Sequence, residues 1–95
     1  MFNDILHQPI RTQIMTYLYS VKEASFKDIK TTLGITDGHM STHMKVFTKN
    51  DYVTSNKSFK AGKPLTTYTL TVKGMKDFLE YIDELDRIVK FIKQV

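Results

Sequence analysis

The side chains in this sequence that could do chemistry are few and mostly basic. There are fourteen Lys or Arg, ten Asp or Glu, three histidines and no cysteine. Without cysteine there are no disulfides, thiol nucleophiles or thiolate metal ligands. His39 and His43 stand four apart, a spacing that puts two imidazoles on one helix face, as in some zinc sites. No glutamate sits between them and the third and fourth ligands are missing, so no metal site is expected. Asp77, Glu80, Asp83, Glu84 and Asp86 read as the solvated face of a helix, not as paired carboxylates in a cleft. The sequence has no Gly-rich phosphate loop and no Ser/His/Asp-like clustering. No catalytic residue is assigned, no cofactor is expected, and an enzyme is not the expectation.

What remains is a polar, basic stretch, Thr36 to Asp51. Placed at about 100° per residue, Met40, Met44 and Phe47 share one side, and His43 leans toward it. Gly38, Thr42, Lys45 and Lys49 fall opposite, flanked by His39, Ser41 and Val46. The outward face is built from short hydroxyl side chains and lysines with little Glu, and Gly38 lets its start come close to another backbone. An ordinary solvated helix surface would more often mix Glu with Lys. Hydroxyls and lysines are donors suited to phosphate oxygens and base edges.

The totals fit that reading. Ninety-five residues make one domain, 41% hydrophobic and 25% charged, with net charge +4. Residues 1–74 hold ten Lys or Arg against five Asp or Glu, and residues 75–95 hold four against five. Positive charge therefore lies outside the last helix, as expected where one part meets phosphates. No apolar run approaches the ~20 residues that cross a bilayer, and the start, MFNDILHQPIR, lacks the build of a secretion signal. The expected compartment is the cytoplasm, with no membrane partner.

The elements that must position the basic stretch follow in order. Phe2 to Leu6 is a lead-in. A helix from about Pro9 to Ser20 has Ile10, Ile14, Tyr17 and Leu18 as its core stripe, with Met15 and Tyr19 roughly opposite. Ala24 to Phe26 suggests a very short strand. Ser25 caps a helix from about Phe26 to Leu33, and Gly34 suits the left-handed position past its end. Thr36 caps the helix of interest, about Thr36 to Asn50. Tyr52–Ser55 and Thr66–Leu70 read as strands joined across Phe59–Pro64, a hairpin whose basic tip holds Lys57, Lys60 and Lys63. Lysine on such a strand also discourages edge-to-edge aggregation. Thr71 caps a long helix, about Val72 to Lys93. In its first half Met75, Phe78, Leu79 and Ile82 cluster. In its second half Leu85, Ile88, Phe91, Ile92 and Val95 sit well round from there. One reading packs the first half on its own domain and the second on a partner chain; the other is a single intramolecular helix with a broad apolar face.

The order helix, short strand, helix, helix, hairpin, long helix is that of a winged helix-turn-helix. The fold class is α+β, mostly helical, with a three-helix core, a β-hairpin wing and a long C-terminal helix. The sequence resembles the small winged-helix regulators of the ArsR and MarR type. Leu6-His7-Gln8-Pro9-Ile10-Arg11 looks like their "x-x-P-x-R" opening, and Leu33 to Met44 is similar to the start of their recognition helix. Tyr52-Val53, Gly62-Lys63-Pro64, then Thr66 to Thr71 and Gly74 match their wing and its "T-x-Y-x-L-T-x-x-G" junction. The likeness runs from about Ile5 to Leu85.

The resemblance implies a homodimer on near-palindromic double-stranded DNA, with one recognition helix per half-site and the wings on flanking backbone or minor groove. His39, Ser41, Thr42 and Lys45 would read bases. Thr36 and Lys49 would lie nearer phosphates, Gly38 would allow close approach, and Lys57, Lys60 and Lys63 would meet phosphates from the wing. The dimer would be made by residues 72–95 through Leu85, Ile88, Phe91, Ile92 and Val95, with Met15 and Tyr19 assisting. The cysteine-bearing motif of ArsR-type metal sensors is absent, and an effector is left open. The function expected is transcriptional regulation, most simply repression by blocking polymerase. The alternative is a winged-helix module that binds protein instead of DNA.

Overall fold

Each helix begins where a side-chain oxygen takes up one of its free N–H groups. In the computed structural model, which describes residues 2–95, helix α1 (Pro9–Val21) is capped by Gln8, whose Oε1 accepts from the Arg11 amide at 2.7 Å. After strand β1 (Glu23–Ser25), Ser25 accepts from the Asp28 amide at 3.0 Å to start α2 (Phe26–Leu33). Gly34, at φ 67°, closes α2 in the left-handed conformation expected of it. Thr36 caps α3 (Asp37–Lys49), and Thr71 caps α4 (Val72–Gln94) by accepting from the Gly74 amide at 2.8 Å. The helices lie within a residue or so of the positions expected from the sequence.

The hairpin is longer and tighter than expected. Strands β2 (Val53–Lys60) and β3 (Lys63–Leu70) pair in an unbroken ladder up to Lys60 opposite Lys63. The turn is Ala61–Gly62 alone, with φ 52° and 77°. Two consecutive positive φ values give the turn whose twist matches a hairpin. Pro64 is tolerated inside β3 because β1 pairs only with Thr67–Thr69, so the outer edge at Pro64 has no ladder to lose. The sheet order is β1-β3-β2, all antiparallel. Helices α1 to α3 with this hairpin and the long α4 make the winged-helix architecture.

The core joins Ile14, Met15 and Leu18 of α1 to Ile29 of α2, Met40, Met44 and Phe47 of α3, and Val53 and Tyr68 of the sheet. Leu6 belongs to it as well. Asn3 accepts from the amides of Ile5 and Leu6 at 2.9 and 3.1 Å, which bends the lead-in and turns Leu6 inward. The same Asn3 donates to the Tyr52 hydroxyl at 2.7 Å.

Two expectations are corrected here. Met15, assigned above to the dimer interface, is wholly buried in its own chain. It lies one helical turn before Tyr19, on the side of α1 that α4 covers: the Tyr19 ring is 5.8 Å from that of Phe78. Met15 therefore has no surface to offer a partner. Tyr19 is half-buried, with Phe78 on one side and the Lys22 ammonium 5.0 Å from its centroid.

The second correction concerns α4. It buries Gly74, Phe78 and Tyr81, whereas Leu79 and Ile82 are exposed. Tyr81 was missed because its hydroxyl hides it in a hydrophobicity count; here that hydroxyl meets His7 Nδ1 at 2.9 Å and Thr12 Oγ1 at 3.2 Å. With Gly74 and Tyr81 in place, the first half of the helix faces the same side as Leu85, Ile88, Ile92 and Val95. The apolar face does not swing round; it continues straight off the end of the packed body. Every residue from Asp86 onward is exposed.

Candidate nucleic-acid interface

Helix α3 shows the sidedness read from its period. Met40, Met44 and Phe47 are buried, while Gly38, His39, Thr42, Lys45 and Lys49 are exposed and Ser41 is half-buried. Thr36 is exposed, and its Oγ1 accepts from the His39 amide at 3.4 Å. The Thr42 hydroxyl donates back to the Gly38 carbonyl at 3.1 Å, so its proton is committed to its own helix while its lone pairs remain acceptors. Around Gly38 the space a Cβ would fill is open, so nothing in the chain itself requires glycine there.

The only acid of α3 is Asp37, and it is engaged. Its Oδ1 lies 2.7 Å from Lys30 Nζ of α2. Beyond it, from Gly38 to Leu70, the chain holds five lysines and a single acid, Asp51. The exposed side of α3 and the hairpin beside it therefore present one sign of charge.

Lys57 joins α3, but the other wing lysines do not. Ser41, Lys45, Thr48 and Lys49 of α3 and Ser55 and Lys57 of β2 line one groove, floored by Phe26, Met44 and Tyr68. Lys60 and Lys63 stand opposite each other in the ladder and line a separate recess with Glu23, Ser25, Lys27 and Asp28. Side chains alternate across a strand, so Lys57 and Lys60, three apart, must point to opposite faces. The expected basic tip is thus a two-faced one. Thr48 and Ser55 were not singled out from the sequence; the period of two in β2 placed Ser55 beside Lys57 and was the available signal.

A polar contact also sets the depth of α3. Arg11 Nε donates to His43 Nδ1 at 3.1 Å, and Arg11 Nη1 donates to the Ile5 carbonyl at 3.4 Å. Accepting at Nδ1 requires that nitrogen to be bare, so His43 is the neutral tautomer with its proton on Nε2. Burial first, then the Arg11 charge and His39, holds its pKa below the ordinary imidazole value. Arg11 thus ties the start of α1 to the middle of α3 by an uncharged acceptor. His39, one turn earlier, stays on the exposed side. Among the described residues, no three His, Cys, Asp or Glu side chains gather where a metal would sit.

The far end of α3 is fastened to α4. The Tyr52 amide donates to the Phe47 carbonyl at 2.9 Å, and the Thr71 amide donates to the Tyr52 carbonyl at 3.0 Å. The Thr71 hydroxyl donates to the Asp51 carbonyl, and Lys73 Nζ reaches the Asn50 carbonyl at 3.2 Å. Any load on α3 is therefore shared with the helix that carries the bare apolar end.

This geometry has known counterparts. The sequence pattern of the winged helix DNA-binding domain matches residues 10–89 of the chain. An uncharacterised protein of Methanocaldococcus jannaschii is 30% identical over 89 residues, 94% of this chain and 97% of its own length. The solved structure of a transcriptional regulator homologue from Pyrococcus horikoshii OT3 is 28% identical, covers 93% of this chain and 87% of its own, and superposes with a TM-score of 0.87. A possible transcriptional regulator for arsenical resistance shares the fold at 23% identity and a TM-score of 0.68, covering 92% of this chain and 91% of its own. Among the described residues no helix is long and apolar enough to cross a membrane. Matched over most of its length and built to the same plan, this chain belongs to the winged helix DNA-binding domain family.

Proposed function

We propose that the protein is a homodimeric transcriptional regulator that binds near-palindromic double-stranded DNA in a sequence-specific manner. The observation that carries this reading is the exposed face of α3, which bears no carboxylate from Gly38 to Lys49 and runs into a groove completed by Lys57. Helix α3 enters the major groove. His39, Ser41, Thr42 and Lys45 read base edges, Thr36 and Lys49 meet phosphates, and Gly38 allows the helix start to approach the backbone. Lys57 holds phosphates from the groove side of the wing, and Lys60 and Lys63 from its other side. Residues 72–95 make the dimer. Ile88, Phe91, Ile92 and Val95 are 43–96% exposed in one chain, a run of apolar side chains that a second copy would cover. With two recognition helices on one site, repression by occluding polymerase is the simplest action. The cytoplasm is its place of work.

Selection of bound fragments from a random DNA library at low salt tests this directly. A recovered consensus with two-fold symmetry is the expected result. If no fragment is retained even at low salt, the DNA reading fails and a protein-binding module takes its place. A monomeric mass by light scattering at micromolar concentration overturns the dimer.

A further inference from the structure

Phe59 lies on the wing with its ring 76% exposed. Among the described residues, the other exposed large hydrophobic side chains lie on α1, on α4 or at the C-cap of α4. Phe59 is alone on the sheet. Its strands are cationic: β2 and β3 hold no Asp or Glu, Lys57 shares its face, and Lys60 and Lys63 stand on the other.

The direction of the ring follows from the ladder. Ser55, Lys57 and Phe59 alternate onto one face of β2, and Ser55 and Lys57 line the groove against α3. The residue opposite Phe59 is Pro64, so the two make a small apolar tip at the outer end of the face that α3 shares. Four residues separate Phe59 from Ser55, about 13 Å of strand at ~3.3 Å per residue. A half-turn of B-DNA spans about 17 Å, since a full turn is ~34 Å. With α3 in a major groove, that reach is comparable with the distance to the adjacent minor groove.

We propose that Phe59, backed by Pro64, is an apolar wedge that enters the minor groove flanking the half-site and leans on a base step there. Such a wedge favours steps that open easily, such as TA, over stiffer ones. The wing then reads deformability outside the bases that α3 touches, while its lysines hold the phosphates on either side. This inference rests on the DNA-binding reading above.

The test uses the intact chain, the fragment selected by the wild-type protein, and fluorescence anisotropy across a KCl series. Two versions of the fragment differ only in the flanking step, TA or GG. Phe59→Ala is expected to weaken binding to the TA fragment roughly tenfold, the scale of one base–aromatic contact, and to erase the preference for TA. The salt slope stays unchanged because no cation is lost. Phe59→Leu keeps most of the preference. Because the ring is exposed, the thermal midpoint of both variants matches the wild type. The proposal is overturned if Phe59→Ala binds like the wild type, or weakens equally on both flanks. It is also overturned if the variant changes the mass in solution, which assigns the ring to a subunit contact. If the wild type itself binds no DNA at low salt, the functional reading fails with it; if the wild type binds and Phe59→Ala is silent, only the wedge fails.

Discussion

Gly74, in the first turn of α4, lies flush against the main-chain carbonyl of Tyr52, just past the end of α3. A Cβ at position 74 would overlap the Tyr52 carbonyl oxygen, a backbone atom that also accepts from the Thr71 amide. The crossing of wing, α3 and α4 therefore requires a residue without a side chain. Gly74→Ala is expected to lower stability by about 1–3 kcal/mol through overpacking. Urea unfolding checks it, with the loss read as a lower midpoint at constant slope.

Arg11 and His43 make a second prediction. Removing the guanidinium leaves the imidazole nitrogen of buried His43 without its donor, so Arg11→Ala should cost about 1–2 kcal/mol of stability. It should also weaken DNA binding, because α3 loses one of the contacts that fixes its depth. Arg11→Lys should not restore either property in full, since a point-like ammonium does not reproduce the directed Nε donor. Anisotropy and urea unfolding on the same preparations check both parts.

The same pair predicts a pH dependence. The folded-state pKa of His43 lies below its ordinary value, so the unfolded chain binds the proton more readily. Stability from this group is present above the ordinary imidazole pKa of about 6.5 and declines as pH falls through the lowered folded value. The thermal midpoint should therefore fall between pH 7.5 and pH 5.5. His43→Gln, which keeps an acceptor for Arg11 and cannot titrate, should show a flatter profile over that window.

The lysines are expected to separate by role. Lys45→Ala should change the consensus recovered from a random library, because Lys45 stands at the centre of the exposed face of α3. Lys60→Ala should leave the consensus alone, weaken binding, and reduce the slope of log affinity against log salt by about 0.9. A change of consensus with Lys60→Ala would contradict the assignment.

The bare end of α4 gives the last prediction. Ile88→Glu with Phe91→Glu should convert the protein to a monomer by light scattering, with its unfolding transition intact, since both side chains are exposed in the single chain. Affinity for a two-half-site fragment should drop about a hundredfold, while affinity for a single half-site stays the same.

Much of this molecule was legible in its sequence, for reasons that can be named. Ser25, Thr36, Thr71 and Gly34 set the helix ends through local geometry alone, and local geometry depends only on neighbours. The face of α3 followed from a period of 3.6 that no tertiary contact disturbed. Non-local relations were the ones that escaped. Met15 is buried in the core on the side of α1 where Tyr19 meets Phe78 of α4. Tyr81 is buried because His7 and Thr12 satisfy its hydroxyl. The division of the wing lysines depended on a register that could not be read until the turn was known to be two residues long. Arg11 was visible within a family-like motif, but its partner lies 32 residues away.

Helix α4 spans about 35 Å at ~1.5 Å per residue, and one end is welded to α3 while the other overhangs. That makes it a lever. A 5° tilt at the overhanging end displaces the welded end by roughly 3 Å, close to the ~3.4 Å rise between stacked bases. In the proposed dimer, the way two such levers cross selects the number of base pairs between half-sites, which makes operator length a mechanical quantity set far from the residues proposed to touch DNA.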